Sequence, residues 1–140
     1  IFAPIFLVKW FLNSLIKTGG SVINISSIHS HLTKKNFLAY STSKAALDNF
    51  TKSLVLEFGS RIRVNGISPA AIDTPMLREG FGNNKLKINN LRNFHPSNTL
   101  GTVKSVSSVA YFLATTEDLF LNGSIIDLSG GISSKLHDPE

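Results

Sequence analysis

The chain contains no cysteine, so disulfides and thiolate metal sites are excluded. A reducing compartment, and so the cytoplasm, is the expected location. Long hydrophobic runs are also missing. The most apolar stretch, I-F-A-P-I-F-L-V-K-W-F-L-N-S-L-I, is broken by Lys9 and Asn13. A membrane span needs about 20 mostly apolar residues, so a buried helix is the better reading. That stretch has no basic leader and no small-residue cleavage site, and no signal peptide is visible. Charged residues are sparse at 16%. The net charge of +5 comes from scattered bases: Lys34 and Lys35, Arg61 and Arg63, then Lys85, Lys87 and Arg92. Without a dense basic block, no nucleic-acid role is expected. The only methionine is Met76 and the chain opens on Ile1, which leads to the expectation that it begins inside a longer protein.

What is present is one domain's worth of ordinary globular sequence, 140 residues with 42% hydrophobic. Residues 5–17 read as a helix stopped by Gly19 and Gly20. Ser21 to Ser26, S-V-I-N-I-S, reads as a strand, and a polar loop runs to about Asn36. Ser41 to Phe58 is helical in pattern, with Leu47, Phe50, Leu54 and Phe58 on one face. Arg61 to Ser68 reads as a second strand ended by Pro69. Residues 74–99 are rich in Asn, Gly and charge, and predict a lid with one or two short helices. Thr102 to Thr115 predicts a helix whose buried side carries Val103, Val106, Val109, Ala110 and Leu113. Ser124 to Leu128 is the last strand. The alternation predicts an α/β protein with a parallel sheet. Three strands make only the C-terminal half of a doubly wound sheet, with the N-terminal half absent from this chain.

In such a sheet, ligands bind at the carboxyl ends of the strands. Ser26 and Ser27 end the first strand, Pro69 to Thr74 end the second, and Tyr40 and Lys44 open the helix between them. Tyr40 and Lys44 are four residues apart and share a helix face. An ammonium group near a phenol stabilises the phenolate and makes tyrosine a usable general acid or base. A serine hydroxyl can hold the same reacting oxygen. The trio suits proton transfer at a carbonyl or alcohol oxygen, and a redox reaction would need a nicotinamide cofactor for the hydride. On spacing alone a Y-x-x-x-K pair also arises by chance, and a serine after a strand is often a turn former.

The order of the motifs narrows this. S-V-I-N-I-S-S is followed by Tyr40 thirteen residues after Ser27, in Y-S-T-S-K-A-A-L. Then come R-I-R-V-N-G-I-S-P-A-A-I-D-T-P-M and a closing segment that ends I-I-D-L-S-G-G. Together they resemble the short-chain dehydrogenases/reductases over nearly the whole chain. The resemblance implies an NAD(P)-dependent oxidoreductase acting on a small carbonyl or alcohol. Tyr40 would be proton donor and acceptor, Ser27 rather than Ser26 would bind the substrate oxygen, and Lys44 would hold the ribose hydroxyls. Pro69, Ile72 and Thr74 would lie along the nicotinamide, and Asn65 would brace the sheet. A homodimer or homotetramer built on the Tyr40 helix and residues 2–17 is implied as well.

Two features depart from that pattern. Ala70 stands where the family usually has glycine after Pro69, and the glycine-rich T-G-x-x-x-G-x-G turn and the N-A-G motif are absent. The cradle for a pyrophosphate at a helix N-terminus is therefore not in these residues. NAD and NADP cannot be told apart here, and the 140 residues alone are expected to be inactive. A truncated binding or assembly module, or an epimerase or dehydratase on the same fold, are the competing readings. His29 and His31 form H-x-H beside Ser27, but no third ligand lies near in sequence, so no metal site is expected. A loop histidine contacting substrate or solvent is the better reading. No G-x-S-x-G elbow is present, which disfavours a serine hydrolase. Asp73 is expected to cap a short helix starting near Pro75.

Overall fold

The computed structural model describes residues 1–136. Helix α1 spans Phe2–Thr18 and stops where Gly19 turns left-handed at φ 60. The Gly20 N–H then closes the end by donating to the Leu15 carbonyl at 2.8 Å. Strand β1 follows at once, Ser21–Ile25. A single 3-10 turn, Ile28–Ser30, interrupts the loop before α2, Leu38–Phe58. That helix starts three residues earlier than its pattern predicts. Asn36 takes a positive φ of 68 and ends the loop, so Tyr40 already sits within the first turn.

Strand β2 is Arg63–Pro69 rather than Arg61 to Ser68. The end of α2 explains the shift. The N–H groups of Arg61 and Ile62 both donate to the Phe58 carbonyl, and pairing begins only with Arg63 N–H to Gly20 C=O at 3.0 Å. Residues 74–99 hold two short helices, α3 (Pro75–Gly80) and α4 (Lys85–Phe94). Helix α5, Val103–Thr115, is opened by a reciprocal Thr102–Ser105 capping box. Strand β3, Ile125–Leu128, completes a three-stranded parallel sheet in the order β1-β2-β3.

Side-chain alternation sends Val22 and Val64 to one face and Ser21 and Arg63 to the other. On the first face, α1 and α2 supply Val8 and Leu54, which bury Val64 and Ile62 together with Leu12, Phe50 and Phe58. On the second, the Ser21 hydroxyl and the Arg63 guanidinium donate to the Leu113 carbonyl of α5. The sheet is thus covered on both sides, as a doubly wound fold requires. Asn65, fully buried, joins β2 to the approach of β3: its Nδ2 donates to Leu121 C=O and its Oδ1 accepts from Ser124 N–H, each at 2.9 Å.

Three sequence expectations fail. Helix α1 is not a buried helix: Val8 is its one buried residue, while Phe2, Phe6, Leu7, Trp10 and Phe11 are exposed, because only the stripe through Val8, Leu12, Leu15 and Ile16 meets the core. Val103 is 63% exposed. At 100° per residue it lies about 80° around the axis from Leu113, while Val106, Val109 and Ala110 stay within about 60°. Asp73 does not cap α3. Pro75 occupies the first helical position, so the cap falls to Thr74, whose hydroxyl accepts from Leu77 N–H at 3.2 Å. Asp73 instead takes a two-pronged pair from Arg78 at 2.7 and 2.6 Å.

Candidate active site

The carboxyl ends of β1 and β2 lie side by side, with Ser26 N–H donating to the Ile67 carbonyl at 2.7 Å. Helix α2 crosses this edge and is bolted to it twice. The Lys44 ammonium donates to the Ile25 carbonyl at 2.8 Å, and the Ser26 hydroxyl donates to the Lys44 carbonyl at 3.3 Å. The two adjacent serines therefore do different things. Ser26 holds the helix. Ser27 is buried and extended at φ −166, and its Oγ accepts the His29 N–H at 3.2 Å as the cap of the 3-10 turn. With one lone pair so used, the Ser27 hydroxyl proton is left to donate elsewhere.

Tyr40 stands one turn before Lys44, its ring centre 5.7 Å from Nζ, and is 44% exposed. It belongs to a ring cluster. His29 meets Tyr40 edge-on at 5.9 Å and Phe37 at 4.6 Å, and Phe37 meets Tyr40 at 5.7 Å. His29 thus links Ser27, through its backbone, to Tyr40, through its ring. Its Nδ1 donates to the Leu32 carbonyl at 3.1 Å, because a carbonyl can only accept. Burial holds the His29 imidazole below the usual histidine range. The Lys34 charge acts in the same direction, and the bond to Leu32 acts against it.

Pro69 ends β2 and is buried. Ile72 forms an isolated parallel bridge with Gly101, in which Asp73 N–H donates to Gly101 C=O and Gly101 N–H donates to Ala71 C=O. In that geometry the N–H and C=O of Ile72 itself point the other way. They find no hydrogen-bond partner among the described residues. Beyond the loop, Ala70, Ala71, Gly101, Leu128 and the buried His95 line a cleft of about 200 Å³ at the ends of β2 and β3.

Ser27, Tyr40 and Lys44 therefore come together, and Pro69 and Ile72 close the neighbouring strand end. Thr74 spends its hydroxyl on α3. His29 and His31 do not converge: His31 faces Asp127 at 3.7 Å, and among the described residues no three metal-ligating side chains cluster. The ring cluster was not legible beforehand. Phe37 carries no local signal, and its contact with His29 depends on the path of the 3-10 turn.

Comparison with known proteins bears on the family and the fold. A family model described as enoyl-(acyl carrier protein) reductase matches residues 1–133. The 3beta-hydroxysteroid dehydrogenase 1 of Eggerthella lenta is 33% identical over 118 residues, 84% of this chain and 45% of that protein. The ligand-free structure of Thermoplasma acidophilum aldohexose dehydrogenase superposes with a TM-score of 0.91 at 32% identity, covering 100% of this chain and 59% of that one. A gluconate 5-dehydrogenase from Burkholderia cenocepacia, solved with NADP and tartrate, superposes at 0.82 with 26% identity, over 92% of this chain and 51% of that one. The fold and the motif order define one half of a doubly wound α/β domain. This chain belongs to the short-chain dehydrogenase/reductase family. It spans about half the length of the curated relatives it matches.

Proposed function

We propose that this chain is the catalytic and carboxyl-terminal part of an NAD(P)-dependent oxidoreductase that interconverts a carbonyl and an alcohol on a small molecule. The observation that carries the reading is the anchoring of Lys44 to the Ile25 carbonyl, one turn from Tyr40 and beside Ser27. The residues fit a nicotinamide nucleotide, NAD or NADP. Lys44 uses one of its three donors on Ile25 and keeps two for ribose hydroxyls. The free N–H and C=O of Ile72 match a carboxamide, which needs one acceptor and one donor. Pro69 and the backbone of Thr74 flank that position.

When bound, the nucleotide would exchange a hydride with the substrate carbon. Tyr40 would give a proton to the substrate oxygen on reduction and take it back on oxidation. The Ser27 hydroxyl would donate to the same oxygen and fix its place, the His29 N–H already filling one Oγ lone pair. Lys44, held by Ile25, would keep its charge near the phenol without a mobile side chain.

A homodimer or homotetramer is part of the proposal, supported by the exposed Phe2, Phe6 and Trp10 along α1. A cytoplasmic location is part of it too. No helix among the described residues is long and apolar enough to cross a membrane. The test is NADH and NADPH oxidation with a carbonyl panel, using protein from the full reading frame. Turnover that survives Tyr40→Phe unchanged would overturn the reading.

A further inference from the structure

We infer that His29 is a specificity-determining residue whose free Nε2 accepts a second substrate hydroxyl, on the carbon next to the reacting carbonyl. The inference rests on the oxidoreductase reading and deepens it to a substrate class, the α-hydroxy carbonyl compounds and the vicinal diols they interconvert with.

Three observations carry it. Nδ1 is tied to the Leu32 carbonyl and must hold the proton there, so the neutral ring presents Nε2 as a lone-pair acceptor on its opposite side. The ring is fixed in place by Phe37 and Tyr40, and the His29 backbone N–H is fixed on Ser27 Oγ. Nε2 has no hydrogen-bond partner among the described residues. His29 is thus tied through its backbone to Ser27 and through its ring to Tyr40, the two groups proposed to hold the reacting oxygen.

The centre of the imidazole lies 5.9 Å from that of the Tyr40 ring. With the two rings adjacent, hydroxyls on neighbouring carbons of one substrate can reach one ring each. A substrate with only the reacting oxygen leaves Nε2 to water. One with a neighbouring hydroxyl donates to it and is held in a single orientation. The ring faces of Phe37 and Tyr40 beside it suit the C–H surface of such a substrate. Lys34, whose Nζ lies 4.4 Å from the Phe37 ring centre, adds positive charge nearby and favours the neutral imidazole.

The test compares hydroxyacetone with acetone, and glucose with 2-deoxyglucose, using the full-length protein and either nucleotide. His29→Phe keeps a ring against Phe37 and Tyr40 and keeps the N–H to Ser27, but removes Nε2. The wild type should favour the hydroxylated member of a pair. In His29→Phe the ratio of kcat/KM for the hydroxylated over the plain member should fall roughly tenfold, mostly through the KM of the hydroxylated one. His29→Gln, which restores an acceptor, should recover part of the difference. Equal loss on both members of each pair, or no wild-type preference, overturns the inference while leaving the oxidoreductase reading intact. Activity that survives Tyr40→Phe unchanged overturns both.

Discussion

Lys44 reaches back to the Ile25 carbonyl at 2.8 Å, and this bond ties the second turn of α2 to the end of β1. The bond fixes a long, flexible side chain that would otherwise sample many rotamers. Its ammonium is thereby held one turn from Tyr40. Lys44→Met keeps the aliphatic stem and removes the charge. In the full-length protein it is expected to lower kcat/KM roughly 100-fold or more, with most of the loss in nucleotide KM. Steady-state kinetics against nucleotide concentration checks this, and an unchanged nucleotide KM would count against the ribose role.

Tyr40→Phe removes only a phenolic oxygen from a half-exposed ring. The edge contacts with His29 and Phe37 persist. Turnover should fall roughly 100- to 10,000-fold while nucleotide binding and thermal stability hold. A matched loss of stability would mark Tyr40 as a packing residue.

Asn65 is a different kind of residue, fully buried and bonded at both ends of its amide. Asn65→Ala strands the Leu121 carbonyl and the Ser124 N–H inside the fold. A loss of about 2–4 kcal/mol in unfolding free energy is expected. Denaturant titration measures it, and a loss under about 1 kcal/mol would mean that water replaces the amide.

His29 gives a pH dependence of definite sign. Its native pKa lies below the ordinary 6.5, so between those two values the unfolded chain binds more protons than the folded one. Stability from this group is complete above about 6.5 and falls as pH drops through that window. An NMR titration of the imidazole should show a midpoint below 6.5. A midpoint above that value would place His29 in solvent rather than against Phe37.

The 140-residue chain alone should show no NAD(P)H turnover, because its sequence carries no glycine-rich cradle for a pyrophosphate. Absorbance assays on the purified chain test this directly. Measurable turnover would mean that a cradle is supplied in another way, for example by a second copy.

The sequence by itself determined the alternation of helices and strands, the face shared by Tyr40 and Lys44, and the family. These follow from local geometry, since a four-residue spacing on a helix puts two side chains together whatever surrounds them. Helix boundaries were less legible. The start at Leu38 depends on Asn36 adopting a left-handed φ, and the cap of α3 passed from Asp73 to Thr74 because Pro75 took the first helical position. Only the tertiary structure decided the partners. Lys44 finds a carbonyl nineteen residues away, Asn65 spans to Leu121, and His29 comes to lie against Tyr40. The Lys44 and His29 contacts are set by how α2 and the 3-10 turn pack over the sheet's edge, and the Asn65 contact by how the approach to β3 passes β2. No spacing along the chain encodes that distance, because it is the sum of many weak packing choices made at once.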